Sequence, residues 1–223
     1  LAVLMCGQGS GKNYTTEIIC TIAIIWWVCL SDPHLVFGID SDKSFDIVNL
    51  SQVNATQARN VFFQSLTAAL KSVKDPKTGN NWLTQHAGFS IVDYGRGDVK
   101  AKELHIPCHI PGRRGITVYC LDSKAQAPEG YSIWMSVIDE PSRANTPVLY
   151  GKAKHQYNVI TGNQATRFAR GKFLTEVFSY PEQEINDLTY ELYQKHINDK
   201  SAICIKAATW EFNASKKQAD FDD

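Results

Sequence analysis

The chain has 223 residues, 43% hydrophobic and 21% charged, which excludes a disordered chain and leaves room for one sizeable core but not two generous domains. Lysine plus arginine (23) equals aspartate plus glutamate (23), so there is no whole-molecule attraction to nucleic acid and any such binding would come from local patches. Six cysteines without CxxC spacing argue against a disulfide scaffold, and the thiols read as reduced and mostly buried, as in a cytosolic protein. Of the six histidines only His105 and His109 stand at HxxxH spacing, and no zinc site is expected.

Leu1-Ala-Val-Leu-Met (1–5) is a short continuous apolar run of the kind that forms a buried parallel strand. A strand so close to the first residue leads us to expect sequence upstream of it. A glycine-rich turn follows, then a helix from about Tyr14 to Leu30. The apolar stretch Ile18–Leu30 holds 13 residues, against about 20 needed to cross a bilayer. It lacks the basic start and cleavage site of a signal peptide, so a buried helix and no membrane segment are expected.

Phe45–Leu50 reads as a second strand. It leads through Asn54-Ala-Thr-Gln into an amphipathic helix with Ala58, Val61, Phe62, Leu66, Ala69 and Leu70 at helical spacing. Residues 75–81 form a loop. From Phe89 to Leu121 the signal is strand-like but broken, and clearest over Ile116–Leu121. Ile133–Ile138 is a buried strand ending in Asp139-Glu140. Helices are predicted over Leu149–Asn158 and Asp187–Asn198, and strands over Phe173–Phe178 and Ala202–Trp210, before a polar tail. The alternation argues for a mostly parallel sheet with helices on both faces.

Cys6-Gly-Gln-Gly-Ser-Gly-Lys-Asn (6–13) stands directly after a buried strand and before a helix. Glycines at 7, 9 and 11 let the backbone curl and aim N–H groups at phosphate oxygens, with the helix N-terminus adding its dipole. Gly7, Gln8, Gly9, Ser10, Gly11, Lys12 and Asn13 are therefore the expected phosphate cradle, with Lys12 reaching the β- and γ-phosphates. Cys6 stands where GxxxxGK[ST] has its first glycine. Asn13 replaces the Ser/Thr that normally touches magnesium, and its amide oxygen can ligate a hard cation directly or through water. The plainer alternative is a turn that merely joins strand to helix.

Asp139-Glu140 after an apolar strand is commonly a helix cap and first-turn acid. Beside a phosphate loop it has a second logic: Asp139 holds magnesium through water and Glu140 accepts the proton of the attacking water. A phosphate loop and such a glutamate, separated by more than one intervening strand, indicate a motor-type ATPase rather than a GTPase or small-molecule kinase. The expected fold is thus α/β, a P-loop NTPase of the additional-strand, catalytic-glutamate type.

Together with later segments, these residues resemble the ATPase domain of a large terminase subunit, the genome-packaging motor of tailed bacteriophages. Gly7-Gln-Gly-Ser-Gly-Lys-Asn looks like the family's phosphate loop, and residues 47–63 are similar to its following strand and helix. Glu129-Gly-Tyr-Ser-Ile-Trp-Met-Ser-Val-Ile-Asp-Glu (129–140) resembles its approach to the acidic pair. Thr166-Arg-Phe, Gly171-Lys and Phe178-Ser-Tyr-Pro look like its coupling segment, and Ala208-Thr-Trp-Glu-Phe-Asn is similar to its closing motif.

The resemblance implies Mg-dependent ATP hydrolysis, double-stranded DNA as the translocated partner, and a portal protein and small terminase subunit as protein partners. It also implies a ring-forming homo-oligomer, largely monomeric in isolation, in the infected host's cytoplasm and transiently on the procapsid portal. Residues 1–223 would then be one P-loop ATPase domain, with an adenine-contacting segment upstream and a metal-binding nuclease domain downstream. Ser179 matches the coupling position. An arginine from a neighbouring subunit often completes such sites; the candidates are Arg113, Arg114, Arg143 and, foremost, Arg167. The basic stretches Lys152–Lys154 and Arg167–Lys172 are candidates to face DNA. A helicase of another family, or a nucleotide-binding scaffold without turnover, is the alternative.

Overall fold

A parallel strand buried on both faces needs apolar side chains on both, and four stretches of the chain supply them. The computed structural model describes residues 1–7, 10–51, 62–89, 103–122, 130–141, 146–168, 172–179, 187–213, 215 and 217. Among these, seven strands form one sheet: β1 (Ala2–Cys6), β2 (Phe45–Ser51), β3 (Glu103–Ile106), β4 (Ile116–Asp122), β5 (Ile133–Asp139), β6 (Leu174–Ser179) and β7 (Ile203–Ala207). The order across the sheet is β3-β4-β2-β5-β6-β1-β7. All pairings are parallel except β3 with β4, at the edge. The sheet is thus mostly parallel, as the alternation of strands and helices implied.

Helices cover both faces. On one side lie α1 (Lys12–Cys29), α2 (Pro33–Phe37), α3 (Gln64–Ser72) and α4 (Trp82–Ala87), whose Trp27, Phe37, Leu66 and Leu83 join Leu4, Ile47 and Val137 in the larger core cluster. On the other lie α5 (Pro147–Arg167) and α6 (Leu188–His196). Their Ala153, Ile160, Leu188 and Leu192 pack with Val3, Val48 and Val177. A last turn of helix, α7 (Thr209–Phe212), follows β7. Side chains cap the helices locally: Asp32, Asn81, Thr146 and Asp187 accept first-turn N–H groups of α2, α4, α5 and α6, each stabilising by about 1 kcal/mol.

The loop expected over 75–81 is found there, and it leads into a helix, α4, whose six residues were too few to announce it. Three expectations need correction. The helix expected over 149–158 runs for 21 residues to Arg167. It contains Gly151 and Gly162 and has little amphipathic pattern, so packing on β5 rather than propensity sustains it. The last strand stops at Ala207, and Thr209 and Trp210 belong to α7. All six cysteines are free, but only Cys6, Cys20 and Cys120 are buried; Cys29 is exposed. The start of the helix predicted from Asn54, with Ala58 and Val61, and the strand-like residues 90–102 lie outside the described residues. No described helix is long and apolar enough to cross a membrane.

Candidate active site at the carboxyl edge of the sheet

In an open parallel sheet the carboxyl ends of the strands form one edge, and ligands bind there. β1 reaches that edge at Cys6 and gives way to the glycine-rich loop, while β5 reaches it at Asp139. Three strands separate them along the chain, but in the sheet a single strand, β6, stands between. This is the additional strand of the expected fold class. Ser179, the last residue of β6, pairs with Met5 of β1, and the preceding Phe178 pairs with Asp139 of β5. The parallel register alone therefore brings the phosphate loop, Ser179 and the acidic pair together.

Gly11 is left-handed, at φ 88°, and caps α1, a conformation glycine adopts without penalty. Gly7 serves a different purpose. A Cβ there would lie 2.0 Å from the Thr209 hydroxyl, so Gly7 is required by the close approach of α7 rather than by the curl of the loop. That contact joins the closing Ala-Thr-Trp-Glu segment to the phosphate loop, a link with no local sequence signal. Gln8 and Gly9 lie outside the described residues.

Lys12 opens α1 and is buried, with its Nζ 3.9 Å from Oε1 of Glu140. Glu140 is also buried and has φ 52°. This left-handed conformation costs a non-glycine residue on the order of 1–3 kcal/mol and persists where the surroundings impose it. Here its N–H donates to the Phe178 carbonyl at 2.9 Å, tying the residue to β6. With that left-handed φ, Glu140 itself stands outside right-handed helical backbone. Asp139 is buried beside it.

The Oγ atoms of Ser10 and Ser179 and Oδ1 of Asn13 are buried and have no hydrogen-bond partner among the described residues. Unpaired buried polar atoms are costly, and their gathering at one edge with a buried ammonium suits an anionic ligand and its cation. Cys6, at the rim, has its thiol pushed up to about 11 by burial, with Lys12 opposing. It stays a neutral, packed side chain.

The arginines lie elsewhere. Arg167 ends α5 and donates to the Gly130 carbonyl (3.3 Å) and the Ser132 hydroxyl (3.4 Å). Both acceptors precede β5, so a strand of seven residues, roughly 20 Å, separates Arg167 from Glu140. It faces the buried Asp46, whose carboxyl is raised by burial while Ser44, Ser132 and Arg167 hold it down. Arg113 pairs with Asp32, and Arg114 donates its N–H to Ser41; both precede β4 and share that far edge. The Thr166-Arg-Phe segment is thus far from the site, with Phe168 buried against Phe37 and Phe45. Arg143, Gly171, Tyr180 and Pro181 lie outside the described residues. Of the basic stretches, Lys154 is held by Glu191 at 2.7 Å and Lys172 donates to the Val36 carbonyl, while Lys152 is exposed.

Glu176 carries no signal in the sequence that marks it as unusual. It sits fully buried in the middle of β6, and neither carboxyl oxygen has a hydrogen-bond partner among the described residues. Thr16 of α1 lies beside it without closing a hydrogen bond. Burial pushes its carboxyl up to about 7, tempered by Thr16. The folded chain holds this proton more tightly than the unfolded chain, where the carboxyl titrates near 4.5. Its stabilising effect is therefore complete below about 4.5 and is lost as pH rises through 7, a swing of about 3 kcal/mol. Urea denaturation at pH 5.5 and 8.0 should show the wild type losing stability at the higher pH and Glu176→Gln losing much less; equal losses would contradict the assignment.

The whole chain, residues 1–223, matches the family described as the N-terminal P-loop domain of the uncharacterized protein MJ0330. Curated proteins give no match. Among solved structures, the large terminase of bacteriophage HK97 superposes with a TM-score of 0.56 at 16% identity, covering 92% of this chain and 34% of the terminase. The large terminase of a thermophilic bacteriophage gives 0.55 in one crystal form and 0.54 in another, each at 14% identity over 97% of this chain. The chain spans 43% and 42% of that thermophilic terminase in the two forms, less than half its length, and at these identities the likeness is one of fold. By its family match over every residue, and by a sheet that carries its phosphate loop where that of a nucleotide-binding domain stands, the chain belongs to the P-loop NTPases of the MJ0330 N-terminal family.

Proposed function

We propose that this chain hydrolyses ATP to drive double-stranded DNA, as the motor domain of a genome-packaging machine. The observation that carries the reading is the buried pair Lys12 and Glu140, 3.9 Å apart where the phosphate loop faces the acidic strand end across β6. A scaffold that only binds nucleotide has no use for a glutamate held in a strained conformation at that point. The likeness of fold to phage large terminases supports the packaging role.

In this reading, residues 7–13 cradle the phosphates and Lys12 neutralises the β- and γ-phosphate charge. Glu140 orients the attacking water and takes its proton. Asn13 and Asp139 would hold magnesium, which would supply positive charge to offset that of the phosphates. Ser179, between the two halves of the site, senses the γ-phosphate and passes its presence into β6. Arg113, Arg114 and Arg167 stand at the far edge, so any of them serves a site only in trans, through a head-to-tail contact in a ring. Arg143, three residues beyond Glu140, is the alternative donor. The ring, the DNA surface around Lys152, and the portal and small-subunit partners belong to this proposal. So do a single domain over 1–223 and a place in the infected cell's cytoplasm.

Steady-state hydrolysis of ATP by the full protein, with and without double-stranded DNA, tests the reading. Turnover that requires magnesium and rises with DNA is expected. Turnover indifferent to DNA would remove the translocation role, and binding of ATP without turnover in any mixture would leave a scaffold.

A further inference from the structure

A helix that is apolar all round belongs in an interior, whereas a surface helix carries charge on its outer face. α1 breaks that rule. From Ile18 to Leu30 the sequence has no charged residue, and only one face meets the core, through Thr16, Cys20, Ile24 and Trp27. The opposite face exposes Tyr14 (66%), Ile18 (39%), Ile22 (60%) and Trp26 (49%). These residues recur every fourth position and so form one continuous ridge. The sequence predicts a helix buried on every side, and the fold covers half of it.

The ridge has hollows beside it. A groove of about 560 Å³ runs along α3, floored by the small side chains Ser65, Ala68, Ala69 and Ser72. A hollow of about 330 Å³ lies at the other end, where Trp26 stacks on Trp134 and Val36 forms the wall. With Leu35 and Val36 of α2 also exposed, the apolar area is on the order of 600 Å², at the upper limit for a monomer and near the ~800 Å² per partner of a stable interface once the groove walls are added.

We propose that this face is a two-fold interface with a second copy of the same chain. A ridge flanked by a groove of the same chemistry is complementary to itself, which an isologous contact requires. The spacing fixes the register: with two α1 helices antiparallel, the axis passes between Ile18 and Ile22. Tyr14 of each copy then meets Trp26 of the other, and Ile18 meets Ile22. The four ridge residues carry no charge, and each ridge enters the other copy's groove, whose lining holds one ionisable side chain besides Tyr14, Glu17, its carboxyl raised by burial while Ser65 holds it down. Such a contact closes at two copies and is distinct from the head-to-tail contact of a ring, so it stands apart from the packaging proposal and needs no nucleotide.

Sedimentation velocity of the full protein over about 1–100 μM tests it. A monomer–dimer equilibrium is expected, with Ile18→Lys and Ile22→Glu each weakening it at least 100-fold. Val148→Lys, at another exposed apolar position (81%), should leave it unchanged. Mixing Ile18→Lys with Ile22→Glu should restore association, because the antiparallel register sets the two new charges against each other; mixing Ile18→Lys with Ile18→Glu should not. A protein monomeric throughout, its α1 face covered by another domain or another partner, would overturn the proposal. So would a dimer indifferent to positions 18 and 22, or mixtures that fail to follow the register. Circular dichroism keeps a folding defect from passing as lost association, since all these positions are exposed.

Discussion

Replacing Lys12 with alanine is expected to weaken binding of a non-hydrolysable ATP analogue by at least about 100-fold and to abolish turnover. The ammonium is buried at the first residue of α1, where charge-assisted hydrogen bonds to phosphate oxygens are worth about 1.5–3 kcal/mol each. The variant also removes the cation nearest Glu140, leaving a carboxylate in a buried site with less compensation for its lost hydration. The bound phosphates would then meet that negative charge without Lys12 between them. Calorimetric titration measures the first effect and steady-state assay the second. Unchanged affinity would move the phosphate site away from residues 6–13. A modest fall in stability is also expected, and a lower urea midpoint with a preserved circular dichroism spectrum would separate it from loss of the fold.

Glu140→Gln is expected to act in the opposite sense on binding. It keeps the length of the side chain and removes the charge, so Mg·ATP should bind as well as in the wild type or better. Hydrolysis should fall by about 10² to 10⁴, the scale of a lost general base. The backbone is held by the N–H of residue 140 on the Phe178 carbonyl, a bond the substitution leaves in place, so a fall in rate will not come from a displaced loop. Single-turnover kinetics on the pre-bound complex reads the chemical step directly. If binding fails while hydrolysis per bound ATP survives, the roles given to Asp139 and Glu140 are reversed or wrong.

Contacts near in sequence were legible from it. The apolar run of β1, the glycine turn and the start of α1 adjoin along the chain, and each is dictated by local chemistry: burial of both faces, left-handed backbone at Gly11, a lysine at the first helical residue. The buried strand that ends in Asp139-Glu140 was equally plain, as was the mostly parallel sheet implied by alternating elements. What the sequence withheld is long-range. That β6 stands between β1 and β5, placing Ser179 between loop and glutamate, follows from strand order. Glu176 looked like any acid in a strand, and only a sheet covered on both faces buries it. Arg167 seemed well placed by resemblance, yet the direction in which α5 runs back carries it to the opposite edge. Gly7 suggested curl, and the reason for it lies far along the chain at Thr209. The charge-free stretch of α1 from Ile18 onward was read as buried because local pattern records how apolar a face is, while only tertiary packing decides which faces the rest of the chain has enough surface to cover.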